Sequence, residues 1–382
     1  MAVQQGYGKM AGANSLVFAY DTADTKNSFK GAPTTNLIPG VANPTLSADG
    51  WVEHGWRGSI DIDEQENALV LTATNGWHSI AYDFGSLNAP ITVSFKAKLK
   101  SKQTTTIPLH VLNGLHLGDY DQWLGSISTP TLTEYQEFVF TFTPTERALI
   151  CLVLRGADTL GLTDEIYIKD LQVEQKSFKT AFVNGTRSAT EGLIDLTGNT
   201  SINLSNVSFD SNAQMTYDGT NTSASITGLT ISARENKTYE AVIKIPNNYS
   251  GIGAVLAGRT SITNFFGLDS GRRLRCGEDD QYILGNVALV SEIWYHVVYT
   301  FEFDGSTTSI QKTYVNGEID NQVTQTNYTD GYIESTQYIG YESRYSYRFN
   351  GDISVLKVYN KTLTAAEVQA NFNNYKTRFN IE

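Results

Sequence analysis

Short segments of alternating apolar and polar residues, closed off by turn dipeptides, recur along almost the whole chain. That pattern restricts the fold more than any other feature. Ile91–Lys98 (ITVSFKAK) places apolar side chains at every second position, the period of a half-buried strand. Phe138–Phe142, Ala148–Leu154 and Glu165–Val173 follow at short spacing. Tyr239–Ile245, Trp294–Phe303, Thr313–Val315, Gln337–Ile339 and Asp352–Tyr359 continue the series. Asp304-Gly305 and Asn316-Gly317 are hairpin dipeptides, because Asn and Asp tolerate the positive φ that Gly adopts freely. Many short strands joined by such turns predict an all-β chain of antiparallel sandwiches or barrels. One helix interrupts the pattern near the end. Thr364 and Glu367 have the spacing of a capping box, and Val368, Phe372 and Tyr375 then repeat at helical spacing on a face suited to packing on a sandwich.

A chain of 382 residues is long enough for two such domains, each with its own core. The polar stretch after Val173, which includes FVNGTRSATEG, sets the expected division: an arm and first strand over residues 1–30, a sandwich over 31–178 and a second over 179–382. The first strand is expected at Leu16–Tyr20. No run approaches the roughly 20 apolar residues of a membrane span. Met1–Ala13 is polar and Gly-rich, so a cleaved secretory signal is not expected. The net charge of −12 argues against nucleic acid as a partner, since a binder needs a basic face to neutralise phosphates. Two cysteines, Cys151 and Cys276, exclude a disulfide framework and a multi-Cys zinc site. Cys151 reads as a small core residue and Cys276 as part of an exposed Gly/Arg/acidic loop. There is no heptad pattern, so a homo-oligomer would have to form through β surfaces.

The last part of the chain carries a specific series. Tyr295-His296-Val297-Val298 leads to Tyr314-Val315-Asn316-Gly317, then to Tyr338-Ile339-Gly340, Phe349-Asn350-Gly351-Asp352-Ile353, Val358-Tyr359-Asn360-Lys361 and Thr364-Ala365-Ala366-Glu367-Val368. In that order these resemble the laminin-G-like (concanavalin A-like) domain, over about residues 200–376. The ending FNGDISVLKVYNKTLTAAEVQANF is similar to the domain as it occurs in virion proteins of tailed bacteriophages. So are Asn14–Asp21, Thr34–Leu37 and Phe182–Ser188, and Ile166–Val173 resembles the last strand of a carbohydrate-binding-module-like jelly roll. The resemblance implies a virion surface component, a capsid decoration or head fibre or a tail-associated protein, that docks to coat or tail subunits. The arm 1–30 is the expected anchor, because a polar arm can add a strand to a neighbour's sheet.

Sugar-binding faces need exposed flat rings beside polar groups. Trp51, Trp56, Trp77, Tyr120 and Trp123 are the candidates, against the alternative that large aromatics fill sandwich cores. Tyr341, Tyr345 and Tyr347 with Arg344 and Arg348 combine the residue types that carry interface energy. They form either a protein or glycan contact or a hairpin whose rings fill one face. The resemblance implies calcium at Asp21 and Asp170 in the first domain and at Asp218 and Asp269 in the second, although Ser354 stands where the second domain's usual closing acid would be.

Glucanases of the concanavalin A-like fold carry E-x-D-x-(x)-E, which sets nucleophile and acid on one strand face. Glu318-Ile319-Asp320 begins that motif without the final Glu, and Asp61-Ile62-Asp63-Glu64-Gln65-Glu66 has the wrong first residue. No metal-hydrolase, nucleophile-elbow or P-loop signature occurs. The sequence therefore predicts a non-enzymatic virion surface protein with no catalytic residues. A lectin-like adhesin for host-surface carbohydrate is the alternative, and a glycoside hydrolase a remote third.

Overall fold

The computed structural model describes residues 12–38 and 51–382, apart from 56–57, 64, 67, 75–76, 85–86, 88, 102–107, 114–121, 129–132, 145–148, 156–162, 259–263, 278–280 and 329–332. In several strands, Trp51–Gly55, Trp77–Asp83 and Gln122–Ser128 among them, the description is confined to the backbone. The fold is all-β with a single α-helix, Ala365–Phe379. The chain divides into two compact units: Pro33–Arg187 with Ser211–Ala213, and Met1–Ala32, Ser188–Asp210 and Gln214–Glu382.

Among the described residues the N-terminal unit contains two five-stranded sheets and one short two-stranded sheet. One five-stranded sheet runs in the order Gln136–Phe142, Ile91–Ser101, Thr163–Glu174, Ala68–Thr74, Gly58–Asp63, and every pairing is antiparallel. The other runs Trp51–Gly55, Trp77–Asp83, Leu149–Arg155, Pro108–Asn113, Gln122–Ser128. The period-2 reading of Ile91–Lys98 holds: Ile91, Val93, Phe95 and Ala97 are buried with Leu69, Leu71, Ile166 and Ile168, while Lys96 and Lys98 stay partly exposed. Burying each large apolar side chain contributes about 1.5–3 kcal/mol.

The polar stretch expected to mark the division belongs to this unit as far as Arg187. Glu174, fully buried, accepts from Thr34 Oγ1 (2.7 Å), Thr180 N (2.7 Å), Thr180 Oγ1 (2.8 Å) and Gln172 Nε2 (3.0 Å). Thr186–Arg187 then pairs with Thr34–Thr35. A buried carboxylate is tolerated only when its oxygens are satisfied, so this segment is fastened by the need to solvate Glu174.

The C-terminal unit packs an eight-stranded sheet against a nine-stranded one. The eight-stranded sheet runs Ser208–Phe209, Met215–Asp218, Asn350–Tyr359, Lys237–Lys244, Trp294–Phe303, Ser309–Val315, Glu318–Gln325. Leu16–Asp21 also pairs with Asn350–Tyr359, antiparallel, with Tyr20 opposite Leu356. The first strand therefore forms where the sequence placed it, yet residues 16–21 complete the protein's own sheet and are not available to a neighbour's. Phe18 and Tyr20 are fully buried in this core. In chain order the N-terminal sandwich is thus an insertion between the first strand and the rest of the second sandwich.

Asn316 and Gly317 both have positive φ (51° and 85°), the turn their dipeptide requires, and they join Ser309–Val315 to Glu318–Gln325. A side chain at Gly317 would run into Gln369 and Phe372 of the helix. The capping box forms as read, with Thr364 Oγ1 accepting from Glu367 N. Val368, Phe372 and Tyr375 bury onto the outer face of the eight-stranded sheet, against Val242, Val298, Tyr314 and Val355. Because the helix covers that face, Lys237–Lys244 is buried on both sides.

Candidate functional site

The nine-stranded sheet carries no helix. Its inner face supplies Ile226, Val255, Phe266, Leu268, Leu274 and Cys276 to the core. On the outer side lies the hairpin of Tyr341–Glu342 and Tyr347–Arg348, and Arg348 pairs with Ala254 of Gly253–Gly258. The turn is built on Glu342, fully buried, whose carboxylate accepts from Arg344 N (2.5 Å) and Tyr345 N (2.9 Å). Ser346 completes it with φ 58°.

That geometry aligns the rings. Tyr345 and Tyr347 stack with centroids 5.5 Å apart and planes 24° apart. The Arg344 guanidinium lies 5.1 Å over Tyr345. Tyr347 meets the buried Phe265 edge-on at 6.1 Å, and Phe265 packs with Ala254 and Ala257. Arg275 continues the ladder because its strand neighbours Leu274 and Cys276 point into the core. Its guanidinium sits 4.6 Å from the Tyr282 ring, 5.6 Å from Phe265 and 5.8 Å from Tyr347. Tyr282 and Tyr345 are 43% and 46% exposed, so a partner can reach them. On the hairpin's other side Arg348 lies 4.0 Å over Tyr341, which meets Tyr338 edge-on at 5.6 Å, and Arg348 Nη1 is buried without a hydrogen-bond partner.

Tyr341, Arg344, Tyr345, Tyr347 and Arg348 are therefore brought together. Tyr347 packs on the sheet against Phe265, while Tyr345 is exposed. Arg275, Tyr282 and Phe265 were missed. The signal was present in Leu274-Arg275-Cys276, where two apolar residues flank an outward one. Cys276 is a correction: it is fully buried on a strand, and burial pushes its thiol pKa up.

Of the carbohydrate candidates of the first domain, three are described by their backbone alone. Trp56 and Tyr120 lie outside the described residues. Trp51, Trp77 and Trp123 stand on described strands, opposite Tyr82, Arg155 and Leu112.

Each of the four Asp residues is occupied by protein donors. Asp21 takes both Arg378 guanidinium nitrogens. Asp170, at a bulge with φ 53°, pairs with Lys96 at 2.6 Å. Asp218 accepts from the amides of Thr220, Asn221 and Thr222; burial opposes ionisation there, but these bonds hold the carboxyl well below its ordinary pKa. Asp269 holds Arg273 through its amide (2.8 Å) and guanidinium (2.7 Å). Among the described residues no group of three or more His, Cys, Asp or Glu is placed to hold a metal.

The acids of the incomplete glucanase motifs are also engaged. Asp320 accepts from Asn286 N (2.9 Å), Val287 N (2.8 Å) and Thr313 Oγ1 (3.1 Å). Asp63 accepts from the Glu66 and Gln65 amides and the Tyr167 hydroxyl, and these bonds hold its pKa down. A glycosidase general acid needs the opposite shift.

Two other polar constellations occur. Under the helix, Glu240 is fully buried. Its Oε1 meets His296 Nε2 at 3.1 Å and Lys357 Nζ at 3.9 Å, and its Oε2 accepts from Tyr359 (2.7 Å) and Asn371 (2.9 Å). Burial raises its pKa, but Lys357 and the bonds from His296 and Tyr359 outweigh burial and bring it down to about 2. On the outer face of the Ile91–Ser101 sheet, Lys98 pairs with Glu66 (3.0 Å), Lys100 with Glu165 (3.3 Å) and Lys96 with Asp170. There Tyr135 donates to Glu66 and Tyr167 to Asp63, while Lys98 and Lys169 cover the Tyr135 ring at 4.9 and 3.5 Å.

Residues 218–369 match the model of the concanavalin A-like lectin/glucanases superfamily, so this part of the C-terminal unit is a concanavalin A-like domain. No curated protein matches the chain. Similar solved structures include the receptor binding domain of botulinum neurotoxin C/D mosaic serotype, at 12% identity and TM-score 0.38 over 48% of this chain and 49% of that one. The botulinum neurotoxin serotype D ligand binding domain in complex with N-acetylneuraminic acid has 14% identity and TM-score 0.38 over 49% of each chain. The binding domain of Paraclostridial Mosquitocidal Protein 1 has 16% identity and TM-score 0.37 over 48% of this chain and 49% of that one. The chain thus spans about half the length of these structures. No helix among the described residues is long and apolar enough to cross a membrane.

Proposed function

We propose that the protein is a non-enzymatic adhesive component of a tailed-phage virion surface, a capsid decoration or head fibre or a tail-associated protein. It docks to coat or tail subunits and presents its concanavalin A-like domain to glycans. The observation that carries the adhesive part is the ladder Tyr282–Arg275–Tyr347–Tyr345–Arg344, in which the rings of Tyr282 and Tyr345 are exposed. Planar rings and guanidinium groups held by stacking on one another bind at little cost in side-chain entropy. The engagement of Asp63 and Asp320 with backbone amides supports the non-enzymatic part. The virion part is supported by the phage-like phrases from Asn14 to Asp21 and from Phe182 to Ser188. A lectin-like adhesin acting apart from a particle is the second reading, favoured by the same ladder.

Cryo-electron microscopy of particles from the source tests the virion part. Regular density for this chain on a capsid or tail lattice is the expected result. Absence from the particle would remove the virion role and leave the adhesin.

A further inference from the structure

We infer that Arg275 reads negative charge, so that the glycan bound at this face carries carboxylate or sulfate groups. The inference rests on the adhesive reading of the Tyr/Arg ladder. Among the described residues Arg275 makes neither an ion pair nor a side-chain hydrogen bond, and its contacts are the three rings of Tyr282, Phe265 and Tyr347. Elsewhere in this acidic chain cations find acids readily: Lys96, Lys98, Lys100, Lys244, Arg273 and Arg378 each have one. An arginine that has none among the described residues, yet is held in place by rings, has its planar donor edge preset for an incoming anion. Aromatic faces fix the guanidinium plane without using its N–H groups.

The flanking rings say what kind of anion. Tyr282 and Tyr345 stand open on either side of Arg275 and Tyr347, which suits the apolar faces of successive sugar rings better than a compact ion. The net charge of −12 repels polyanions from the molecule as a whole. Binding must therefore be local to this ladder and must weaken as salt rises.

The test is calorimetric titration of the full chain with two matched pairs of oligosaccharides. One pair is polygalacturonate and its carboxyl-reduced form, and the other is dextran sulfate and dextran. The wild type should bind at least one charged member about tenfold more tightly than its neutral partner, as expected for one charge-assisted bidentate contact. Arg275→Ala should abolish that preference, and Arg275→Lys should restore part of it while losing the planar fork. Thermal melting of each variant separates loss of binding from loss of fold. Which pair responds tells carboxylate from sulfate. Equal binding of charged and neutral members, or an Arg275→Ala variant like the wild type, would overturn the charge inference. The adhesive reading would survive that result if Tyr282→Ala and Tyr345→Ala still abolish binding. No binding to any member would overturn both, as would binding of polyglutamate without any saccharide.

Discussion

Two sheet faces in this molecule both interleave tyrosines with cations, and they differ in how those cations are paired. The outer face of the Ile91–Ser101 sheet interleaves tyrosines with lysines, and the outer face of the nine-stranded sheet interleaves tyrosines with arginines. On the first, Lys96, Lys98 and Lys100 each meet a carboxylate, and the two tyrosine hydroxyls donate to Glu66 and Asp63. On the second, Arg275 meets rings and, among the described residues, no acid. What distinguishes the two is whether the charge is already neutralised from within the chain, because a neutralised charge must first be uncovered before it can serve a partner.

Glu240 is the limit of internal neutralisation, so its removal should have the largest effect. Glu240→Ala leaves Lys357 buried without its anion and should cost about 3–5 kcal/mol of stability in the C-terminal unit. Denaturant unfolding followed by amide exchange of Ala365–Phe379 reads that unit separately. A loss under about 1 kcal/mol would mean that the network beneath the helix is not a stabilising hub.

The same group predicts a pH dependence. Its pKa is depressed on folding from 4.5 to about 2, so its contribution is complete above about pH 4.5 and is lost as pH falls towards 2. A shift of that size corresponds to about 3 kcal/mol. Glu240→Gln should flatten the acid limb of helix protection; an unchanged limb would assign acid sensitivity to other carboxylates.

Thr364→Ala removes one arm of the capping box and should cost about 1 kcal/mol, read as faster exchange in the first helical turn. Smaller still are the exposed pairs. Lys98→Ala should lower stability by less than about 1 kcal/mol and leave glycan binding unchanged, since the Lys98–Glu66 pair is partly solvated. Arg275→Ala should be as mild on melting, and any severe loss of fold there would mean that its ring contacts are structural.

The two sandwiches, the Asn316-Gly317 turn and the capped helix were legible because each depends on local chemistry: period-2 burial, positive φ, and a hydroxyl three residues before a glutamate. The strand at Leu16–Asp21 was legible as a strand but not in its pairing, because alternation says which residues are buried and nothing about which strand lies alongside. Its partner, Asn350–Tyr359, is more than 300 residues away. The Tyr341–Arg348 cluster was visible as composition. The outward direction of Arg275 was visible in Leu274-Arg275-Cys276, but its place in the cluster was not, because that depends on Phe265 and Tyr347 approaching from two other segments. The Glu240 network was hidden for the same reason: Glu240, His296, Lys357 and Asn371 come from four separate elements.

The most direct test of this account compares the two faces on one array of neutral and anionic oligosaccharides. One variant carries Arg275→Ala, Tyr282→Ala and Tyr345→Ala; the other carries Lys98→Ala, Lys169→Ala and Tyr135→Phe. Loss of glycan binding in the first alone, with both proteins folded, is the predicted result. Retention of binding in the first, or its loss in the second alone, would contradict the claim that the uncompensated face is the contact surface.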